Sequence, residues 1–256
     1  MKNTAQTEPF LVIGNWKMNG TRELLHKFAC DLETTAPAGC TQVLCLPSVI
    51  IPNAVDALAD HNIEIGGQNC SSHPSGAFTG EVSSTMLVEA GAKWVIVGHS
   101  ERRTGFSETD EEVNSKADAA ITGGLVPIIC VGECSADRED GRHLDVILDQ
   151  LAASTPSNLQ LGEAVIAYEP VWAIGSGKSA SEDQVREAHD AIAAWLKENL
   201  VPLPVLYGGS VKPDSAADLA AIRNVDGFLV GGASLDPASF KGIGTVSSET
   251  LSKAQR

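Results

Sequence analysis

Eight short apolar runs punctuate the chain with almost no polar alternation: FLVIGNW (10 to 16), QVLCL (42 to 46), IEIGGQ (63 to 68), WVIVGH (94 to 99), LVPIICVG (125 to 132), AVIAY (164 to 168), VLYGG (205 to 209) and DGFLVGG (226 to 232). Such near-continuous runs predict parallel strands buried on both faces. Between them the pattern turns helical. TRELLHKFACDLETTA, DEEVNSKADAAITG and SEDQVREAHDAIAAWLKEN are amphipathic and rich in Ala and Glu, and several such segments follow a Ser, Thr or Asp able to cap a helix. Eight strand-helix units in 256 residues predict an α/β fold, a closed (β/α)8 barrel of eight parallel strands with outer helices. An open doubly wound sheet is the alternative. No linker or low-complexity run interrupts the pattern, so residues 1–256 read as one domain, with 1–8 as a flexible N-terminal tail.

Charge narrows the partners. Thirty-three acids against eighteen bases give a net charge of −15, which argues against nucleic acid or an anionic membrane surface. An anionic small substrate would then need a locally positive site. The opening MKNTAQTEPF is polar, and no later window holds the about eighteen apolar residues of a membrane span, so a soluble, cytoplasmic protein is expected. The six cysteines, at 30, 40, 45, 70, 130 and 134, form no CxxC pair and no zinc spacing with His. Reduced thiols are expected, with Cys130 a small core residue and no metal site.

In a barrel, chemistry gathers on the loops after the strands. Strand one ends in IGNWK, where alternation puts Asn15 and Lys17 on one face, although a solvated lysine is the plainer reading of Lys17 alone. Strand four ends in VGHSERR. By the same alternation His99 and Glu101 face inward, and Glu101 could hold Lys17 in place; a capping His beside a surface ion cluster is the bland alternative. GHSER lacks the final glycine of a G-x-S-x-G nucleophile elbow, so a hydrolase is rejected. Strand six brings Glu169, fixed by Pro170, in an apolar setting expected to raise its pKa toward that of a working general base. Strands seven and eight end in the double glycines of YGGS and VGGAS, whose backbone N–H groups can approach a phosphate.

The stretch AYEPVWAIGSGKSA imitates a nucleotide-binding loop at its end. A Walker loop would need glycine five residues before Gly177, and that residue is Trp172. Gly175, Gly177 and Ala180 fit G-x-G-x-x-A, but the strand ends too early for a dinucleotide turn. A stiff beginning and a glycine-rich tip suit a lid instead.

NWKMN, GHSERR, AYEPVWAIGSGKS, YGGSVKP and DGFLVGGASL occur in the order of the triosephosphate isomerase family, which the chain resembles over nearly its whole length. The resemblance implies a (β/α)8 barrel that interconverts dihydroxyacetone phosphate and D-glyceraldehyde 3-phosphate, an aldose-ketose isomerisation of glycolysis and gluconeogenesis. It implies Glu169 as general base, His99 as neutral electrophile, and Lys17 as the balancing charge placed by Asn15. The phosphate would be held by the backbone at Gly175, Ser210, Gly231 and Gly232. The lid would be Pro170, Val171, Trp172, Ala173, Ile174, Gly175, Ser176, Gly177 and Lys178. No cofactor is implied. A homodimer is, with the loop near Thr79 reaching the partner near Asn15 and Lys17. Ser176 stands where the family usually has threonine, Pro204 where an arginine is expected, and the segment 71 to 75 carries less charge than expected. A non-catalytic sugar-phosphate-binding barrel is the competing function, and the inward set of Asn15, Lys17, His99 and Glu169 argues against it.

Overall fold

The computed structural model describes residues 9–32, 37–174, 179–200 and 202–254. Eight parallel strands close into a barrel in sequence order: β1 (Phe10–Asn15), β2 (Cys40–Cys45), β3 (Ile63–Gly67), β4 (Trp94–Val97), β5 (Val126–Val131), β6 (Val165–Tyr168), β7 (Val205–Tyr207) and β8 (Gly227–Val230). The expected closed barrel is what the chain forms; most strand ends are one or two residues shorter than the apolar runs, while β2 begins two residues earlier, at Cys40.

The barrel has two apolar layers, which is why its strands show no polar face. Inside lie Leu11, Ile13, Val43, Cys45, Ile96, Ile128, Cys130, Val165, Ala167, Leu206 and Leu229. Pairing brings them level: Ile13 lies opposite Val43 on one side and Leu229 on the other, and Cys130 pairs with Ala167, which pairs with Leu206. The alternate residues, such as Phe10, Val12, Val95, Val97 and Phe228, pack outward against helices. The helix Glu182–Asn199 shows how the outer layer is built. A Ser181/Gln184 capping box starts it, and Val185, Ala188, His189, Ile192 and Leu196 bury one stripe at helical spacing.

All six cysteines are free thiols, as expected. Cys45 and Cys130 fill the barrel interior, where burial pushes both thiols well up and keeps them protonated.

Two strand parities run straight into the mouth of the barrel. Leu11 and Ile13 point inward and Asn15 continues the series; Val165 and Ala167 point inward and Glu169 continues theirs.

Candidate active site

Glu169 and Asn15 arrive by alternation, but His99 does not. It shares parity with Val95 and Val97, which face the helices, so an unbroken strand would send it outward. β4 ends at Val97 instead, and Gly98 takes φ +66 and turns the chain before the helix Ser100–Phe106 begins. A Cβ at Gly98 would stand 2.6 Å from Val113 Cγ1, so glycine is demanded twice. The expectation that His99 and Glu101 face inward by strand alternation is therefore corrected: a left-handed turn aims His99, and the first helical turn presents Glu101.

The imidazole sits between two carboxylates. His99 Nε2 lies 3.0 Å from Glu169 Oε1, while Nδ1 accepts from the backbone N–H of Glu101 at 3.2 Å. Because Nδ1 is spent as an acceptor, the ring proton belongs on Nε2, where it faces Glu169 and the cavity. Glu101 Oε1 holds Lys17 Nζ at 2.5 Å.

Lys17 has φ +51, an uncommon backbone for a side-chain-bearing residue, and such conformations persist where surroundings enforce them. Here the enforcing bond is visible. Asn15 Oδ1 accepts from Lys17 N–H at 2.9 Å and from Gln68 Nε2 at 3.3 Å. The neighbouring Trp16 is buried, with its indole N–H donating to Ser234 O across the β1–β8 seam.

Glu169 is 1% exposed and its carboxylate is fully engaged. Oε2 accepts from Ser100 N–H at 2.8 Å, and Oε1 accepts from Ser100 Oγ at 3.2 Å as well as from the His99 ring. Burial pushes this carboxyl up, but the His99 ring and the hydrogen bonds from His99 and Ser100 outweigh it, and the group is held below the usual value. The expected upward shift is thus reversed in this resting arrangement. Room for Glu169, backbone and side chain, comes from glycines just past the ends of both neighbouring strands. A Cβ at Gly132 would stand 1.9 Å from Glu169 O, and one at Gly208 would stand 3.1 Å from Glu169 Cγ.

Asn15, Lys17, His99, Ser100, Glu101 and Glu169 line one cavity of about 760 Å³. Facing them across it are Gly209, Ser210, Gly231 and Gly232 from the turns after β7 and β8, with Val171, Ala173 and Ile174 at its edge. Lys17 Cε passes 3.7 Å from where a Gly231 Cβ would be, which links the ammonium to the β8 turn. Of the expected lid, Pro170 to Ile174 is described: Val171–Ala173 forms a 3-10 turn, and Trp172 Nε1 donates to Glu133 Oε1 at 2.8 Å. Tyr168 Oη donates to the same oxygen at 3.1 Å. Gly175, Ser176, Gly177 and Lys178 lie outside the described residues, as does the tail at 1–8.

Sequence reasoning missed Ser100, Gly132 and Gln68, and it read Gly208 only as part of a phosphate turn. In GHSER the serine reads as a nucleophile; the signal for its other use is a hydroxyl at the first position of a helix, where the backbone N–H is also free to hold an anion. Among the described residues no group of three or more His, Cys, Asp or Glu could hold a metal ion. No described helix is long and apolar enough to cross a membrane.

Residues 10 to 246 match the family model described as triosephosphate isomerase. The chain is 47% identical over 234 residues to a triosephosphate isomerase of Ruegeria sp. TM1040, covering 90% of this chain and 94% of that one. It is 44% identical over 244 residues to that of Brucella abortus, covering 91% and 94%. The crystal structure of triosephosphate isomerase from Bartonella henselae superposes with a TM-score of 0.84 at 40% identity, over 93% of this chain and 98% of that one. With the motifs, the barrel and the mouth geometry agreeing along that length, the chain belongs to the triosephosphate isomerase family.

Proposed function

We propose that the chain interconverts dihydroxyacetone phosphate and D-glyceraldehyde 3-phosphate by proton transfer through an enediolate. The observation that carries this is the pairing, in one cavity, of a buried ionised carboxylate with the N–H face of an imidazole 3.0 Å away. A phosphate-binding barrel has no need of a base and an electrophile side by side opposite its glycine turns.

In the proposed step, Glu169 takes the proton from the carbon beside the substrate carbonyl. The C–H electron pair becomes the enediolate double bond, and the carbonyl π pair moves onto oxygen, which accepts from His99 Nε2–H. His99 then gives its Nε2 proton to that oxygen and takes the hydroxyl proton from the neighbouring one. The electron pair left there forms the new carbonyl as Glu169 returns its proton to the other carbon, so no oxidant or reductant is consumed. Lys17, placed by Asn15 and held by Glu101, offsets the negative charge, and the backbone at Gly175, Ser210, Gly231 and Gly232 holds the phosphate. To act, the carboxylate must exchange Ser100 for substrate. That removes hydrogen bonds that hold its pKa down while burial remains, so the base strengthens once substrate is seated and Pro170 to Lys178 has closed over it.

The acting unit is one domain, 1–256, working in the cytoplasm as a homodimer. The dimer is supported by two exposed apolar side chains. Met18 is 97% exposed next to Lys17, and Phe78, on the loop with Thr79, is 43% exposed and stacks on His73 with ring centroids 4.0 Å apart. A coupled assay with either triose phosphate tests the activity: appearance of the other isomer is expected, and binding without conversion would leave the non-catalytic barrel. Sedimentation at micromolar concentration tests the dimer, and a species of 27 kDa alone would contradict it, since one chain weighs 26.8 kDa.

A further inference from the structure

We propose that Lys212 recruits the substrate phosphate, a role that rests on the isomerase reading above. Among the described residues lining the cavity, the ammonium groups are those of Lys17 and Lys212, and the carboxylates those of Glu101 and Glu169. Their formal charges cancel, on a chain carrying −15. A phosphate dianion is therefore repelled by the protein as a whole, and its capture depends on where the positive charge stands.

Lys17 is already paired with Glu101 at 2.5 Å. Lys212 is exposed and forms no ion pair among the described residues. Its backbone is nevertheless pinned: its N–H donates to Ser215 Oγ at 3.2 Å, its carbonyl accepts from Ala216 N–H at 3.0 Å, and Pro213 follows. The ammonium is thus tethered two residues beyond Ser210 at the cavity rim while keeping its full charge. Asp214 and Asp218, on the helix Pro213–Ala221 that follows, do not line the cavity.

Barrel order adds the geometry. β7, β8 and β1 are consecutive neighbours, so the glycine turn after β8 lies between the β7 loop that carries Lys212 and the β1 end that leads to Lys17. Lys17 faces the reacting end and is neutralised at rest; Lys212 faces solvent on the phosphate side. Its charge raises the frequency with which a dianion reaches the turns and leaves an uncharged sugar unaffected. The contribution falls on kcat/KM and is screened by salt.

The test compares wild type with K212Q, K212E and K212R on D-glyceraldehyde 3-phosphate and on unphosphorylated D-glyceraldehyde. Ionic strength is varied from about 0.01 M to about 1 M, over which the Debye length shrinks from about 30 Å to about 3 Å. At low salt K212Q should lower kcat/KM roughly threefold to tenfold with kcat unchanged, K212E further, and K212R should restore it. The gap should close at high salt and be absent for D-glyceraldehyde. Active wild type whose salt slope is the same in K212Q, or an equal loss on D-glyceraldehyde, overturns the role of Lys212 alone. Wild type that converts neither triose phosphate overturns the isomerase reading and this role with it.

Discussion

The carboxylate of Glu169 rests on two groups of a single residue, Ser100: the backbone N–H at 2.8 Å and the hydroxyl at 3.2 Å. Both stabilise the ionised form, so the carboxylate proposed as the base is held charged. Ser100→Ala removes one of the two. The Glu169 pKa should rise, and the acid limb of the kcat/KM profile, which reports the free enzyme, should move to higher pH. An acid limb unmoved in S100A would detach Ser100 from the base.

Space around Glu169 is set by Gly132, where a Cβ would meet its carbonyl oxygen at 1.9 Å. Gly132→Ala must displace the base, and a displacement near 1 Å can cost on the order of a hundredfold in kcat. Gly242 is the contrast, since a Cβ there makes only ordinary contact with Pro213 at 3.6 Å inside the helix Pro237–Ala254. G242A should keep kcat and stabilise by about 0.5 to 1 kcal/mol in thermal melts. Equal kcat in G132A and wild type would show that the strand end absorbs the change.

Acid should weaken the fold in two separate windows. Burial pushes the His189 imidazole down to about 4 from an ordinary 6.5, so the folded chain holds it neutral while the unfolded chain protonates. Its contribution is complete above about pH 6.5 and is lost as pH falls toward 4, on the order of 3 kcal/mol in all. Glu169, held low, contributes above its ordinary value and loses that contribution only at lower pH, as its folded pKa is crossed. Urea unfolding of wild type and H189Q at pH 7, 5.5 and 4 reads the first window as a slope. An H189Q slope as steep as wild type would place the acid sensitivity elsewhere.

The architecture was legible because every strand but β3 serves two apolar layers, and a run such as VPIICV fits only a strand buried on both faces. Asn15 and Glu169 were legible for the same reason, since they extend inward parities that the apolar residues define. His99 reached the right place by the wrong argument, because a single positive φ at Gly98 overrides alternation and leaves no periodic trace. The direction of the Glu169 shift was hidden because it depends on Ser100, 69 residues away in the chain. Apolar flanks announce burial; they do not announce the donors waiting inside it.

In the proposed mechanism the Lys17 ammonium, which lines the cavity, acts on bound substrate and intermediate alike. Lys17→Met should lower kcat/KM roughly 10²- to 10³-fold and also weaken competitive inhibition by inorganic phosphate. Unchanged phosphate inhibition in K17M would mean that backbone amides and Lys212 hold the anion without it.

The central claim, proton transfer by Glu169 through an enediolate, is tested most directly by isomerisation in D2O with NMR of the product. A base that exchanges its proton with solvent leaves deuterium at the receiving carbon in a measurable fraction of product. Glu169→Gln should then keep phosphate affinity while both turnover and deuterium uptake fall, roughly 10²- to 10⁴-fold. Turnover and deuterium uptake both at the wild-type level in Glu169→Gln would mean that another group takes the proton, and Glu169 would not be the base.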